Sequence, residues 1–348
     1  MDDLTAYDYR LPKELIAQHP LPQRADARLL VVDRARGEFD LSHVRELPHW
    51  LGPGDLLVLN DTRVLWARLV GYRQRTGGRW QGLYLEELEP GVWKVLSRTR
   101  GKLEPGETII LQDREAVDRM ELAMLAPLDE GAWAARIVPQ LPADRVLERL
   151  GRVPLPPYIR SGQMVDDDLE RYQTVYAREP GSIAAPTAGL HLTPSLLEQL
   201  EVAGVQLERV TLHVGVGTFR PIKVDRLSAH RMHAEWGRVA PQTAERLRAA
   251  RQAGKRIVAL GTTVVRLLET AACHGSIEPF EGHTDLFIRP PFTFHAVDAL
   301  MTNFHLPRSS LLVLVRTFGG DELIRRAYEL AVAERFRFYS YGDAMLIL

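Results

Sequence analysis

The rhythm of apolar and polar positions changes twice along the chain. Up to residue 64 two apolar runs stand out, DARLLVVDR at Asp26–Arg34 and GDLLVLNDTRV at Gly54–Val64. Both are rich in Leu and Val and have strand length, and the second ends in the polar cluster Asn60-Asp61-Thr62. From Val64 to about residue 140 the runs become short and alternating: WARLVGY, GRWQGLYLEEL, GVWKVLS, ETIILQD and AWAARIV. TGG and EPG turns separate them. Short strands at this spacing predict a small barrel or sandwich, with a hint of helical period only in AVDRMELA.

Beyond residue 140 helical and extended patterns take turns. PADRVLERLG reads as a helix. SLLEQLEVAG at Ser195–Gly204 is a helix with a core-facing stripe and a terminal glycine, and Thr193 before Pro194 forms its start. QLERVTLHV is a strand, APQTAERLRAARQAG at Ala240–Gly254 a helix, KRIVAL at Lys255–Leu260 a strand and TVVRLLETAA a helix. MTNFHLPRSSLLVLVRTF is expected to be a loop and a strand, and DELIRRAYELAVAERF a long helix. Alternation of this kind implies an α/β sheet covered on both faces. The expected architecture is a mixed-sheet α/β domain, residues 1–63 and 150–348, interrupted by an inserted small β-barrel domain, residues 64–149.

Composition narrows the class without naming a function. The 348 residues are 45% apolar and 26% charged with a formal net charge of −1, as in ordinary globular proteins. Neither a general affinity for nucleic acid nor a need for disulfides follows. Cys273 is the only cysteine, which excludes an internal disulfide framework and a multi-cysteine zinc site. It reads as a small apolar filler in a helix. The polar start MDDLTAYDYRLPKEL does not resemble a signal peptide, and no apolar run approaches the ~20 residues that span a bilayer. SSLLVLV at Ser309–Val315 has strand length. A soluble cytoplasmic protein is expected.

Several loop segments carry candidate chemistry. HVGVGTFRP at His213–Pro221 pairs a histidine with Gly215 and Gly217, but Arg220 stands where a dinucleotide fingerprint needs glycine, and Pro221 opposes a helix there. The glycines fit close backbone approach to a ligand, or a plain bend. In RIVALGTTVVRLLET, Gly261, Thr262 and Thr263 open a helix. A threonine hydroxyl is expected to cap it, and its N–H groups suit an anion. PGSIAAPTAGLHLT places Thr187, Gly189 and His191 before a helix start, where the histidine meets a ligand or a structural partner. HRMHAEW offers His230, His233 and Glu235, a poor metal set and a better proton-transfer set. Asn303 and His305 are expected in a loop before a strand, and YSYGDAM, with Tyr341 and Asp343, is polar and aromatic.

The β segment is locally basic. From Thr62 to Lys102 the bases are Arg63, Arg68, Arg73, Arg75, Arg79, Lys94, Arg98, Arg100 and Lys102, opposed only by Glu86, Glu87 and Glu89. Trp66, Trp80 and Trp93 lie among them. A basic face with aromatics fits RNA contact, and a solvated strand face over core tryptophans fits equally.

Taken in order, NDTRV, PLPPYI, RYQTVYA, PTAGLHLT, HVGVGTF, HRMHAEW, LGTT, TNFHLP and YSYGDAM resemble the S-adenosylmethionine:tRNA ribosyltransferase-isomerase family of queuosine biosynthesis over essentially the whole chain. Leu192, where that family more often has phenylalanine, and Trp236, where tyrosine is commoner, are departures that keep an apolar or aromatic body. The resemblance implies an α/β domain with an inserted β-barrel. It also implies transfer and isomerisation of the ribosyl part of S-adenosylmethionine onto 7-aminomethyl-7-deazaguanine at the tRNA wobble position. Epoxyqueuosine-tRNA, adenine and methionine would be the products, and tRNAs with a GUN anticodon the partners.

Such chemistry needs a base for a C5′ hydrogen acidified by the sulfonium and an acid for departing adenine. Histidine, with an ordinary pKa of ~6.5, suits the first task. The attacking amine belongs to the RNA, so no protein nucleophile, prosthetic group or metal is expected. His191, His213, His233 and Glu235 are the candidate acid and base groups. Thr187, Gly189, Gly215, Gly217, Thr218, Phe219, Gly261, Thr262, Thr263, Asn303, His305, Tyr341 and Asp343 are candidates for binding S-adenosylmethionine. Arg63, Arg98, Arg100 and Lys102 are candidates for binding RNA. A monomer is expected. The rivals are an S-adenosylmethionine-dependent RNA methyltransferase and a non-enzymatic RNA-binding protein.

Overall fold

A computed structural model describes residues 2–215, 217, 222 and 224–348. The chain divides into two compact units, one of residues 1–63, 158–161 and 171–348, the other of residues 64–157 and 162–170.

The first unit is built on a nine-stranded mixed sheet. Its strands lie in the order Phe280–Thr284, Glu235–Val239, Gln206–Leu212, Leu56–Asn60, Ile257–Leu260, Ala299–Asn303, Ala344–Ile347, Arg28–Asp33 and Glu38–His43. The strands Gln206–Leu212, Leu56–Asn60, Ile257–Leu260 and Ala299–Asn303 are mutually parallel. Side chains alternate across the sheet, so each strand feeds two cores. Leu30, Val32, Leu56 and Val58 pack on one face with the helices Thr262–Ala271, Ser310–Gly319 and Asp321–Ala333. Leu29, Val31, Leu57 and Leu59 pack on the other with Leu196 and Leu200 of the helix Pro194–Val202. Thr193 caps that helix, its Oγ1 accepting from Leu196 N at 3.1 Å.

The second unit is a closed six-stranded antiparallel barrel in the order Ala132–Val138, Val92–Thr99, Arg79–Glu89, Arg68–Arg73, Thr108–Gln112 and Asp118–Pro127. Val146, Leu147 and Leu150 of the helix Ala143–Leu150 join its core.

Four local expectations need correction. Ser309–Val315 is not a strand but the start of the helix Ser310–Gly319, capped by Ser309 Oγ accepting from Leu312 N at 3.2 Å. An unbroken apolar run has no period, so length alone misled. AVDRMELA belongs to a strand, with Met120 and Leu122 inward and Arg119 and Glu121 outward. Asn303 ends a fully buried strand and does not lie in a loop. Cys273 is exposed, just past the helix Thr262–Ala271, and fills no core.

Candidate functional site

Four parallel strands deliver their carboxyl ends to one edge of the sheet, the place where open α/β sheets bind ligands. In spatial order they present His213, then Asn60 to Thr62, then Gly261 to Thr263, then Asn303. Ala344 pairs with Asn303, which carries Tyr341 and Asp343 to the same edge.

At one end of this row, His213 donates its backbone N–H to Trp236 O at 2.9 Å. Its ring stacks on Trp236 with centroids 5.0 Å apart. Nδ1 lies 2.8 Å from Thr62 Oγ1. Partial burial pulls the imidazole below the ordinary histidine range, against the opposing carboxylate of Glu179, so it is neutral at pH 7. The backbone under the ring is Gly181, at φ +150°, where a Cβ would come 2.6 Å from Nε2. Asn60 ties the row together: its Nδ2 donates to Leu212 O at 3.0 Å and to Thr263 Oγ1 at 3.3 Å.

Glu235 faces the same loop. Its Oε1 accepts from Gly215 N at 2.9 Å, and its Oε2 is bound by Arg266. Both partners of this ion pair are almost fully buried, with side-chain exposures of 5% for Arg266 and 4% for Glu235. Arg266 also donates to Leu286 O and Thr284 O. The carboxylate is therefore an anchor for the Gly215 segment. His233 is exposed, and its ring lies against Gly217. Thr218 and Phe219 lie outside the described residues.

Neither Thr262 nor Thr263 caps the helix Thr262–Ala271. The N-cap is Gly261, at φ +96° and with no side-chain bond, while the Thr263 hydroxyl is taken by Asn60. The left-handed backbone there suits glycine and excludes a capping side chain.

At the far end of the row Asn303 is the hub. Its Oδ1 accepts from Thr187 Oγ1 at 2.9 Å. Its Nδ2 faces His191 Nε2 at 3.1 Å, Tyr339 O at 3.2 Å and Asp343 O at 3.5 Å. Burial, reinforced by Arg337 and Arg24, pulls His191 down to about 4. Gly189 is required by close packing, because a Cβ there would sit 1.9 Å from Tyr176 Oη. His191 and Tyr341 line a small concavity of about 20 Å³ with Arg24, Arg171 and Ser340.

Two expected ligand contacts are committed elsewhere. His305 is buried, with Nε2 on Thr302 Oγ1 at 2.9 Å, and burial holds its imidazole at about 3. Asp343 is a backbone clasp, accepting from Arg28 N at 3.0 Å and Arg337 N at 2.7 Å. Among the described residues no group of three or more His, Cys, Asp or Glu side chains is placed to hold a metal ion.

In the barrel unit Arg98, Arg100 and Lys102 are exposed. Arg73 is not part of a free basic face. It is buried in a bidentate pair with Glu107, at 2.8 and 2.7 Å, and donates to Arg100 O and Lys102 O. It thereby fixes the loop that carries the exposed bases. Trp80 and Trp93 are barrel core, not stacking platforms. Arg63 is exposed and belongs to the α/β unit.

Sequence reasoning missed Arg266, Asn60, Thr62, Arg24, Arg171 and Ser340. The first sits inside a helix and reads as a surface charge. Asn60 and Thr62 were visible as the polar end of a buried strand, and that is the signal that could have found them.

The chain matches the family model described as "Queuosine biosynthesis protein" over residues 4–347. A relative from Symbiobacterium thermophilum, named S-adenosylmethionine:tRNA ribosyltransferase-isomerase, is 50% identical over 99% of both chains. One of the same name from Thermus thermophilus is 51% identical over 100% of both. The crystal structure of an S-adenosylmethionine tRNA ribosyltransferase from Thermotoga maritima matches with a TM-score of 0.57 and 39% identity, covering 99% of this chain and 100% of that one. The chain belongs to the queuosine biosynthesis protein family.

Proposed function

We propose that the protein transfers the ribosyl part of S-adenosylmethionine to the aminomethyl group of 7-aminomethyl-7-deazaguanine at the wobble position of tRNA and isomerises it. Epoxyqueuosine-tRNA forms, and adenine and methionine leave. The observation that carries this reading is the full-length match, at about half identity, to relatives named for that activity. The clustering of the quoted motifs on one sheet edge supports it.

The residues divide the chemical work unequally. A base removes a C5′ proton next to the sulfonium, and an acid returns a proton to adenine as its glycosidic bond breaks. Glu235 is held by Arg266 and Gly215, and His191 is held by Asn303, so neither is free for these steps. His213, neutral at the strand end, takes the C5′ proton. His233, exposed beside Gly217, is the remaining candidate acid. Gly215 and Gly217 admit the sugar, and Thr187, Gly189, Asn303 and Tyr341 shape the pocket. Arg63, Arg98, Arg100 and Lys102 meet RNA phosphates. The protein works as a cytoplasmic monomer on tRNAs with a GUN anticodon and uses no metal or prosthetic group. Among the described residues no helix is long and apolar enough to cross a membrane.

Chromatography of the small products tests the reaction. Adenine and methionine are expected, whereas S-adenosylhomocysteine would mean methyl transfer, and no turnover would mean a binding protein. His213→Ala should abolish turnover, and unchanged turnover removes it as the base.

A further inference from the structure

The geometry around Asn303 settles which nitrogen of His191 carries the hydrogen. Tyr339 O and Asp343 O are carbonyls and only accept, so the end of the Asn303 amide facing them is its NH2 group. Thr187 Oγ1 donates to the other end. That same NH2 group faces His191 Nε2, which must therefore offer its lone pair. The ring hydrogen is on Nδ1. A doubly protonated ring would set two donors against each other, and burial opposes it as well.

Nδ1 makes no hydrogen bond among the described residues, and it is not among the sealed polar atoms. The ring lines the concavity shared with Arg24, Arg171, Ser340 and Tyr341. No Asp or Glu lines that space among the described residues. Its volume of about 20 Å³ is the room of a single water or ligand oxygen, far below the roughly 300–1,000 Å³ of a whole small-molecule site, so it takes one oxygen at the end of a ligand.

We propose that this concavity receives one oxygen of an anionic group, carboxylate or phosphate, and that His191 serves it as a neutral Nδ1–H hydrogen-bond donor, not as a proton-transfer group. The proposal rests on the functional reading above for its two sources of such a group: the amino-acid carboxylate of S-adenosylmethionine and a backbone phosphate of the RNA.

Nitrogen-15 NMR of the histidine-labelled protein tests the tautomer, with the His191 signals identified by their loss in His191→Asn. A neutral ring with hydrogen on Nδ1, unchanged from pH 5 to 9, is expected. Hydrogen on Nε2, or titration near pH 6.5, overturns the proposal. Calorimetric binding tests the subsite, using S-adenosylmethionine, its decarboxylated analogue and an anticodon stem-loop. His191→Asn keeps an amide N–H near the Nδ1 position, whereas His191→Gln places its amide nearer Nε2. The Gln variant should lose about ten-fold or more in affinity for one anionic ligand, and the Asn variant much less. Loss confined to S-adenosylmethionine, and absent with the analogue, assigns the carboxylate. Loss confined to the stem-loop assigns an RNA phosphate. Equal affinity of wild type and His191→Gln for every ligand overturns the subsite. A wild-type protein that binds neither S-adenosylmethionine nor stem-loop overturns the functional reading and the occupant together, while the tautomer measurement remains a separate result.

Discussion

Replacing Arg266 with methionine should damage the α/β unit more than most single changes. The substitution keeps an unbranched apolar stem and deletes the guanidinium that faces Glu235. Both side chains are about 95% removed from solvent, so the stranded carboxylate cannot be rehydrated without opening the structure. Breaking a buried pair from one side costs about 3–5 kcal/mol, because a charge is left uncompensated. The carbonyls of Leu286 and Thr284 also lose a donor, roughly 1 kcal/mol each. Adding Glu235→Gln removes the stranded charge while the amide oxygen still accepts from Gly215 N. The double variant should therefore regain about 2 kcal/mol over Arg266→Met alone. Urea unfolding at pH 7, followed by far-UV circular dichroism, measures both. A loss below about 1 kcal/mol for Arg266→Met, or a double variant less stable than the single, refutes the reasoning.

Three further outcomes follow from the same structure. Gly189→Ala should destabilise by about 1–3 kcal/mol, since its Cβ meets Tyr176 Oη, and adding Tyr176→Phe should restore part of the loss because that hydroxyl is buried without a partner among the described residues. His305 falls from 6.5 to about 3 on folding, so the unfolded chain binds the extra proton between those values and stability declines as pH drops through that window. His305→Gln should flatten the urea-measured slope by about 1.4 kcal/mol per pH unit there. Changing Arg98, Arg100 and Lys102 to Glu should weaken tRNA binding and reduce its salt dependence, and unchanged titrations would place the RNA surface elsewhere.

Much of the architecture was legible because period and punctuation agreed. Pro194–Val202, Pro241–Gln252 and Asp321–Ala333 show helical stripes with recognisable starts, and the barrel strands alternate between turns. Polar strands escaped notice: Glu38–His43, Glu235–Val239 and Phe280–Thr284 lie towards the sheet margins and carry too few apolar residues to form a run. At the site, residue types were readable but partners were not. Glu235 resembles a general base until Arg266, thirty-one positions away in sequence, is placed on it. His305 resembles a ligand until burial and Thr302 claim it. Long-range pairing decides which polar side chains are spent on architecture, and spacing along the chain does not record it.

The strand Ala344–Ile347 joins Arg28–Asp33 to Ala299–Asn303, so among the described residues the hairpin formed by residues 28–43 pairs with the rest of the sheet through that strand alone. On the ribosome that hairpin emerges hundreds of residues before its neighbour. At about 5–20 residues per second the delay is tens of seconds. During that interval Leu29 to Val32 offer a naked apolar edge to any passing chain, a natural target for a chaperone. The clasp at Asp343 and the carbonyls that orient Asn303 arrive in the same late step. A nascent chain therefore has no competent cleft until its final strand slides home.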